Sequence, residues 1–364
     1  MKAIFFSLLL CFCISVPVYG AYEQELEEQV HTRELQKSVP EDVQDLVSGV
    51  NLLTGEGLQE AFAGLKTKFL QSVRTQIRSV WEPSMKTLLI VILCSVAGAF
   101  LPGERGEFCL TITGGAAITA LSLNDAQSIL QTGLQTIGRM YDFSSVLLPS
   151  LAGAAMLSGA SISAGTKYTA AVLVMNGLLN ICNTLLIPMV GAYLSLSIGG
   201  QLLGQPMLSG TARRLQKGTR LVLTGVVLAF TTYLSIAGLI SSAGDAFAVR
   251  ATRTALSATL PVVGRIISDT ASTLVAGAGV LRGCIGAFGL VVILGLLMGP
   301  VVSLGLRYLL FKAVGVVAEL FPQQKLGGLI SSIAGAFGLM LGVMGTSFVM
   351  LFLTLLSFLY LHGG

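Results

Sequence analysis

The residue types that carry acid–base or nucleophilic chemistry are scarce in this sequence. It has two histidines, His31 in a polar N-terminal stretch and His362 near the last residue, so a Ser–His or Cys–His pair inside an apolar segment is excluded. No spacing of His and Cys typical of a zinc site occurs, and we expect no cofactor and no metal. Four cysteines stand singly in apolar segments, where a thiol behaves as a small hydrophobic group: Cys94, Cys109, Cys182 and Cys284.

Two aspartates resemble a catalytic pair but occupy unsuitable positions. Asp142 follows Tyr141, and Asp245 ends a Ser-Ala-Gly-Asp run that begins at Ser242. The arrangement is similar to that of intramembrane aspartyl proteases, whose two carboxylates share a proton and activate water. Those enzymes have glycine in place of Ser242 and carry both aspartates inside membrane spans, whereas here both lie at the edges of apolar segments. The sequence therefore predicts a protein that is not an enzyme.

The most charged part of the apolar region runs from Asp245 to Arg282 and holds six charged residues. Each charge at the centre of a lipid-facing helix costs roughly 2.5–3.5 kcal/mol, so a plain membrane span is unfavourable here. Pro261 and Gly264 interrupt the stretch. We therefore predict a broken or re-entrant segment, or two interfacial helices, over residues 242–285.

Arg265 and Asp269 lie four residues apart within this segment, a spacing that places them on one helix face where they can pair. One interpretation is that they line a water-filled path together with Pro261, Gly264 and Thr273. The other interpretation is an amphipathic surface loop in which the pair is incidental.

The elements that position these residues follow from the composition. The chain has 364 residues, of which 53% are hydrophobic and 11% charged, and its mean hydropathy is +0.81. Soluble proteins contain roughly 25% charged residues, so this chain has too little charge to cover an ordinary soluble domain. Ten of its 18 acidic residues fall between Glu23 and Glu60, which leaves a long apolar remainder. Lipid is therefore the expected solvent of that remainder.

The apolar remainder contains seven candidate spans, judged by the requirement of about 20 apolar residues for a helix that crosses a bilayer. The alternation and turn spacing of an outer-membrane barrel are missing, so the sequence predicts an all-α, polytopic membrane protein. The candidates are residues 85–101, 108–123, 143–160, 168–198, 220–241, 286–311 and 326–360.

The N-terminal part divides into three pieces. Residues 1–20 are typical of a secretory signal peptide, with an uncleaved anchor as the alternative. Residues 21–50 are acidic and without a strong apolar period, which indicates a solvated or disordered extracytoplasmic arm. A stripe then follows at spacings of three and four, with basic residues off the stripe, and predicts an amphipathic helix on the membrane surface or, alternatively, a docking face for a partner helix. The stripe consists of Leu58, Phe62, Leu65, Phe69, Val73, Ile77 and Val80.

A basic cluster bears on orientation. Arg213, Arg214 and Lys217 lie in a segment, residues 199–219, that we expect to be a loop, and positive loops favour the cytoplasm. Seven full spans would place this loop on the same side as the N-terminal arm. We therefore expect the short candidate 108–123 not to cross fully.

Small residues recur every fourth position in two candidate spans: Gly295, Gly299 and Ser303 in one, Ala334, Gly338 and Gly342 in the other. Such ridges let helix backbones approach in lipid, so we expect them to serve helix packing within the protein, with an oligomer interface as the alternative. The run Gly-Ala-Phe-Gly-Leu also occurs twice, at residues 286–290 and 335–339. Internal repeats are common in transporters, and the alternative is a coincidence in a glycine-rich chain.

Residues 260–271, read as LPVVGRIISDTA, together with Thr273 and the run VLRGCIG at 280–286, resemble the stage III sporulation protein AE family. The layout of signal peptide, arm, amphipathic helix and polytopic body is similar too. The resemblance implies a protein of the mother-cell membrane around the forespore. It also implies partners, namely the other proteins of the stage III sporulation A operon and, directly or indirectly, stage II sporulation protein Q.

The leading hypothesis from this resemblance is a non-enzymatic component of a channel or secretion-like complex that supports late forespore gene expression, in contact with lipid but not with nucleic acid. The alternative is a self-sufficient small-solute transporter, favoured by the repeat and the broken segment.

Overall fold

The structure is a computed structural model that describes residues 32–101, 103–158, 161–259 and 263–359. The predicted signal peptide, both histidines and Pro261 lie outside these residues. The described chain is helical and contains no strand. Nine α-helices follow one another: α1 Thr32–Lys37, α2 Glu41–Val47, α3 Leu58–Phe100, α4 Glu104–Leu157, α5 Ser161–Ile181, α6 Ile187–Leu202, α7 Pro206–Thr259, α8 Val263–Ala318 and α9 Gln324–Leu359.

Six helical segments of the described chain are long and apolar enough to cross a membrane. They confirm the predicted all-α, multi-pass class. The candidate 108–123 is helical and forms part of the first half of α4, but it lies outside these six segments. The long candidate 168–198 is divided by a π-helical turn, Cys182–Leu186. The six segments are Leu58–Phe100, Leu130–Leu157, Thr184–Leu202, Pro206–Ile236, Gly277–Ala318 and Gln324–Leu359.

The core of the bundle is the pair α8 and α9. The two helices run antiparallel, because they are joined by residues 319–323 and Leu359 at the end of α9 lies against Gly286. The rings of Phe311 and Phe337 pack with centroids 5.3 Å apart, and both side chains are fully buried. Helices α3 and α4 pack against α8, while α4, α6 and α7 pack against α9. These two helices therefore hold the other long helices in place.

One end of the bundle gathers three helix connections. Gly98, near the end of α3, lies against Gln323 in the α8–α9 connection, and Gly115 in the early turns of α4 lies against Leu202 at the end of α6. The turns α3–α4, α6–α7 and α8–α9 are therefore at the same end. Because α3 is a single helix, its start at Leu58 lies at the opposite end.

The N-terminal arm is packed rather than solvated over residues 32–50. Leu35, Val39, Val43 and Val47 recur every four residues and are buried, and α2 packs against α8. The expectation of an arm without an apolar period is therefore wrong for this part. These buried side chains, on α1, in the connection after it and on α2, tie the arm to the bundle.

The predicted amphipathic helix and the first span are one continuous helix, α3, which runs alongside α8. Of the predicted stripe, Leu65 and Val80 are buried, whereas Phe69 and Ile77 are each 44% exposed. The predicted start of the first span, at residue 85, therefore falls inside a helix.

The charged regions also belong to long helices. Helix α6 ends at Leu202 and α7 begins at Pro206, so the connection is three residues long and the expected loop 199–219 is wrong. Helix α7 has 54 residues and α8 has 56. At about 1.5 Å per residue each is roughly 80 Å long, far longer than the ~30 Å hydrocarbon layer. Helices this long can extend out of the lipid, so the charged last part of α7 and the charged first part of α8 can lie outside it.

Candidate functional site

An ion pair lies inside the bundle, where α4 crosses α8. Asp125 Oδ1 is 3.6 Å from Arg307 Nε, and the two side chains are 20% and 17% exposed. Arg307 Nη1 also donates a hydrogen bond to Ser303 Oγ, one helical turn earlier on α8. The ion pairs Lys86–Glu82, Arg139–Asp42 and Lys325–Glu107 lie elsewhere in the described residues, and each of their side chains is at least 47% exposed. The Asp125–Arg307 pair is thus the most enclosed ion pair in the described residues.

The antiparallel packing of α4 on α8 brings these two residues together. Leu147 of α4 lies against Gly289 of α8, and further along both helices Asp125 meets Arg307. Gly289 allows this approach, since a Cβ there would lie 2.5 Å from Leu147 Cδ2. Ser303 shares the face of Arg307 because residues four apart are neighbours on a helix.

Polar contacts at both ends of the same helices support this register. At one end Thr111 Oγ1 of α4 donates to the buried Gln323 Oε1 over 3.5 Å. At the other end Arg282 Nη1 of α8 donates to Ser158 Oγ, just after α4, over 3.1 Å. The contacts at the two ends and the central ion pair all agree with a single alignment of α4 on α8.

The chemistry of the ion pair is electrostatic. Arg307 lies in the candidate span Gly277–Ala318, and a charge in such a span is costly unless it is paired. The arrangement can therefore hold helices in register or present charge to a polar path. In the described part of the chain no group of three His, Cys, Asp or Glu side chains could hold a metal ion.

The sequence model of the stage III sporulation protein AE family matches residues 42–360. The chain belongs to the stage III sporulation protein AE family. A curated relative, stage III sporulation protein AE of Bacillus subtilis (strain 168), is 21% identical over 242 residues. The alignment covers 66% of this chain and 59% of that relative. No solved structure matches the chain significantly. The resemblance carried by residues 260–286 is confirmed.

The family match includes α4, α8 and therefore the Asp125–Arg307 pair, which the sequence analysis had not singled out. A signal was available in the sequence, because Arg307 is the single charged residue in the predicted span 286–311. A lone charge inside a span indicates a functional or structural partner elsewhere in the bundle.

The residues of the family-like motif lie at the start of α8. Gly264, Arg265, Asp269 and Thr273 are in its helical backbone, while their side chains, like Pro261, lie outside what the structure describes. The pairing of Arg265 with Asp269 therefore stays a prediction.

The four glycines predicted for helix packing have different surroundings. A Cβ at Gly295 would lie 2.7 Å from Val43 of α2, and one at Gly338 would lie 3.1 Å from the ring of Tyr308. A Cβ at Gly342 would be in ordinary contact with a leucine side chain at 3.7 Å, whereas one at Gly299 would meet nothing within 4 Å. Gly295 is thus the position where an added Cβ would force a neighbour to shift, and Gly338 is a tight contact.

The residues predicted to report topology are exposed on the first turns of α7: Arg213, Arg214 and Lys217. Asp142, of the protease-like pair, is exposed on α4, and the side chain of Asp245 lies outside the described residues. Nothing in the described residues brings a second carboxylate to Asp142.

Proposed function

We propose that this stage III sporulation protein AE family member is a non-enzymatic membrane component of a channel or secretion-like complex between mother cell and forespore. In this proposal it lies in the mother-cell membrane around the forespore, acts as an assembly or translocation core and supports late forespore gene expression. Its partners are the other proteins of the stage III sporulation A operon and, directly or indirectly, stage II sporulation protein Q. Family membership and the six apolar segments support this assignment.

The scaffold role is inferred from the Asp125–Arg307 pair. Two enclosed opposite charges neutralise each other in one alignment of α4 on α8. Sliding one helix by a turn, about 5.4 Å, would leave each charge without its partner in a medium that solvates ions poorly. A core with a fixed register gives neighbouring proteins a constant surface on which to assemble.

The packed N-terminal arm supplies a surface suited to such a neighbour. Val43 and Val47 of α2 are buried, while Glu41 and Asp45 on the same helix are exposed. An exposed acidic face on a helix that is anchored to α8 is complementary to a basic surface on a partner.

The scaffold role is tested by complementing a strain that lacks the gene. Asp125→Ala and Arg307→Ala should each lower spore yield and late forespore gene expression at least tenfold, and should reduce co-purification of the operon's other proteins. The combined exchange Asp125→Arg with Arg307→Asp should recover part of both. Glu107→Ala is the matched control, because it removes a pair with Lys325 that is about half exposed. Normal spore yield from both single variants at normal protein level would refute the scaffold role.

The alternative function is transport of a small solute by this protein alone. The repeated run supports it, since Phe288 and Phe337 occupy equivalent positions in the two copies and both are fully buried. Solute uptake by vesicles that contain only the purified protein would favour the transporter. The scaffold role would be favoured if the vesicles took up no solute and if deletion of the gene for this protein removed its neighbours from the membrane complex.

A further inference from the structure

One side of helix α7 is packed and the other faces outward. Ala212, Thr219, Leu223 and Phe230 are buried, and α7 packs against α5, α6 and α9. These four positions lie on one side of the helix, since they recur at multiples of three and four residues. The opposite side of α7 is therefore free to meet whatever surrounds the bundle.

The outward side of α7 carries three cations and then leucines. Arg213, Lys217 and Arg220 are exposed and follow one another at spacings of four and three residues, which places them on one helix face. Leu221 and Leu228 continue the same side of the helix and are 74% and 66% exposed. The outer face of α7 is therefore basic up to residue 220 and largely apolar after it.

The positive charge of this face is not neutralised by its own part of the chain. The sequence contains no acidic residue between Asp142 and Asp245. Within the residues that the structure describes, neither Arg213 nor Lys217 makes a side-chain hydrogen bond or an ion pair with another described residue. An anion from outside the chain is therefore the natural counter-charge for the face.

The change from basic to apolar coincides with the edge of a span. The sequence predicts a span at residues 220–241, and the structure has a candidate span of 31 residues, Pro206–Ile236. Such a helix is about 46 Å long, whereas the hydrocarbon layer is about 30 Å thick, so one end extends into the headgroups. The basic end is the one that does so, because charge inside hydrocarbon is costly. The leucines then lie beside acyl chains and the cations beside headgroups.

We propose that the outer face of α7 binds an acidic phospholipid. The phosphate of the headgroup lies against Arg213, Lys217 and Arg220, and an acyl chain lies along Leu221 and Leu228. The cations span about 10 Å along the helix axis, and the long side chains of lysine and arginine can bring their charges to one layer of phosphates. Basic clusters next to a span attract anionic lipid. A soluble acidic protein would cover only the basic half of the face, whereas a phospholipid is complementary to both halves.

The test uses the full-length protein, freed of lipid in a neutral detergent and titrated with phosphatidylglycerol, while native mass spectrometry counts the bound lipid. Saturable binding is expected, at least tenfold tighter than that of phosphatidylcholine, whose headgroup has no net charge. The triple variant Arg213→Gln, Lys217→Gln, Arg220→Gln should bind phosphatidylglycerol at least tenfold more weakly. Replacing both arginines by lysine should keep the affinity within threefold, because the charge is retained.

The matched control is the triple variant Lys86→Gln, Arg139→Gln, Lys325→Gln. Each of these cations is exposed and paired with a carboxylate, so the control loses the same charge but should bind phosphatidylglycerol as the unmodified protein does. Equal loss in the two triple variants would show a general attraction to net charge and would overturn the site. If the α7 triple variant does not fold, Lys217→Glu at a single exposed position replaces it and should weaken binding at least threefold. Unchanged affinity in that variant would also overturn the site.

Two soluble competitors separate the phospholipid from other anions. Glycerol 3-phosphate carries the phosphate without acyl chains, and a glutamate-rich peptide stands for an acidic protein. Neither should displace phosphatidylglycerol at equal concentration. Displacement by glycerol 3-phosphate would assign the cations to a soluble phosphate, and displacement by the peptide would assign them to a protein. Either result, or binding of phosphatidylcholine as tight as that of phosphatidylglycerol, would overturn the proposal.

Discussion

Val43 of α2 lies so close to Gly295 of α8 that a Cβ on the glycine would be 2.7 Å from Val43 Cγ1. The contact joins the acidic N-terminal arm to α8, one of the two central helices of the bundle. Asp42, beside Val43, pairs with Arg139 of α4, and Lys68 of α3 donates to the Asp42 carbonyl. The arm is thus held in place by contacts with three helices, α3, α4 and α8.

The first prediction concerns this contact. Gly295→Leu should displace α2, because a side chain at that position overlaps Val43, and overpacking of this kind costs about 1–3 kcal/mol. Limited proteolysis should then cut the arm at least several times faster than in the unmodified protein. At Gly299, one turn further along α8, an added Cβ meets nothing within 4 Å, so Gly299→Leu should not change the rate. Equal rates for the two variants would show that the arm is not seated on Gly295.

The second prediction concerns the stability of the enclosed ion pair. Asp125→Ala should lower the free energy of unfolding by about 3–5 kcal/mol, since it leaves Arg307 enclosed without its partner. Glu107→Ala, which breaks the exposed pair with Lys325, should cost no more than about 1 kcal/mol. Unfolding of the full-length protein in identical micelles measures both. The double variant Asp125→Ala with Arg307→Ala should lose less than the sum of the two single losses.

The third prediction concerns sidedness. The turns α3–α4, α6–α7 and α8–α9 lie at one end of the bundle, and the positive cluster that begins at Arg213 favours the cytoplasm for that end. In a cysteine-free background, thiols placed at Glu104, Gln205 and Pro322 should react with an impermeant reagent only after the membrane is opened. In intact vegetative cells that express the protein, where the extracytoplasmic side faces the medium, a thiol at Glu56 should react. The same accessibility at Gln205 and Glu56 would contradict the orientation.

The fourth prediction concerns Arg265 and Asp269, in the motif of residues 260–271. If Arg265 and Asp269 pair in an enclosed setting, either alanine substitution should cripple spore formation after engulfment, and the double substitution should be milder than the sum. Spore counts at matched protein level measure this. Normal counts from both single variants would identify the pair as an exposed one of little energetic consequence.

Much of the fold was predictable because it follows from local properties. Composition requires lipid as the solvent, lipid requires satisfied backbone groups, and helices satisfy them within one segment. Arg307 was also visible as a lone charge in an apolar run. The arm was misjudged because its buried positions, from Leu35 to Val47, recur every four residues among many acids, so the average polarity concealed the stripe.

The sequence by itself determined the helical class, the membrane character and the family resemblance, since each depends on residues that are near one another along the chain. Tertiary structure alone decided that Asp125 meets Arg307 and that Val43 meets Gly295. Each of these meetings depends on the register between helices that are distant in sequence. Register is set by side-chain packing and charge pairing across helix surfaces, which the spacing of residues within one helix does not specify.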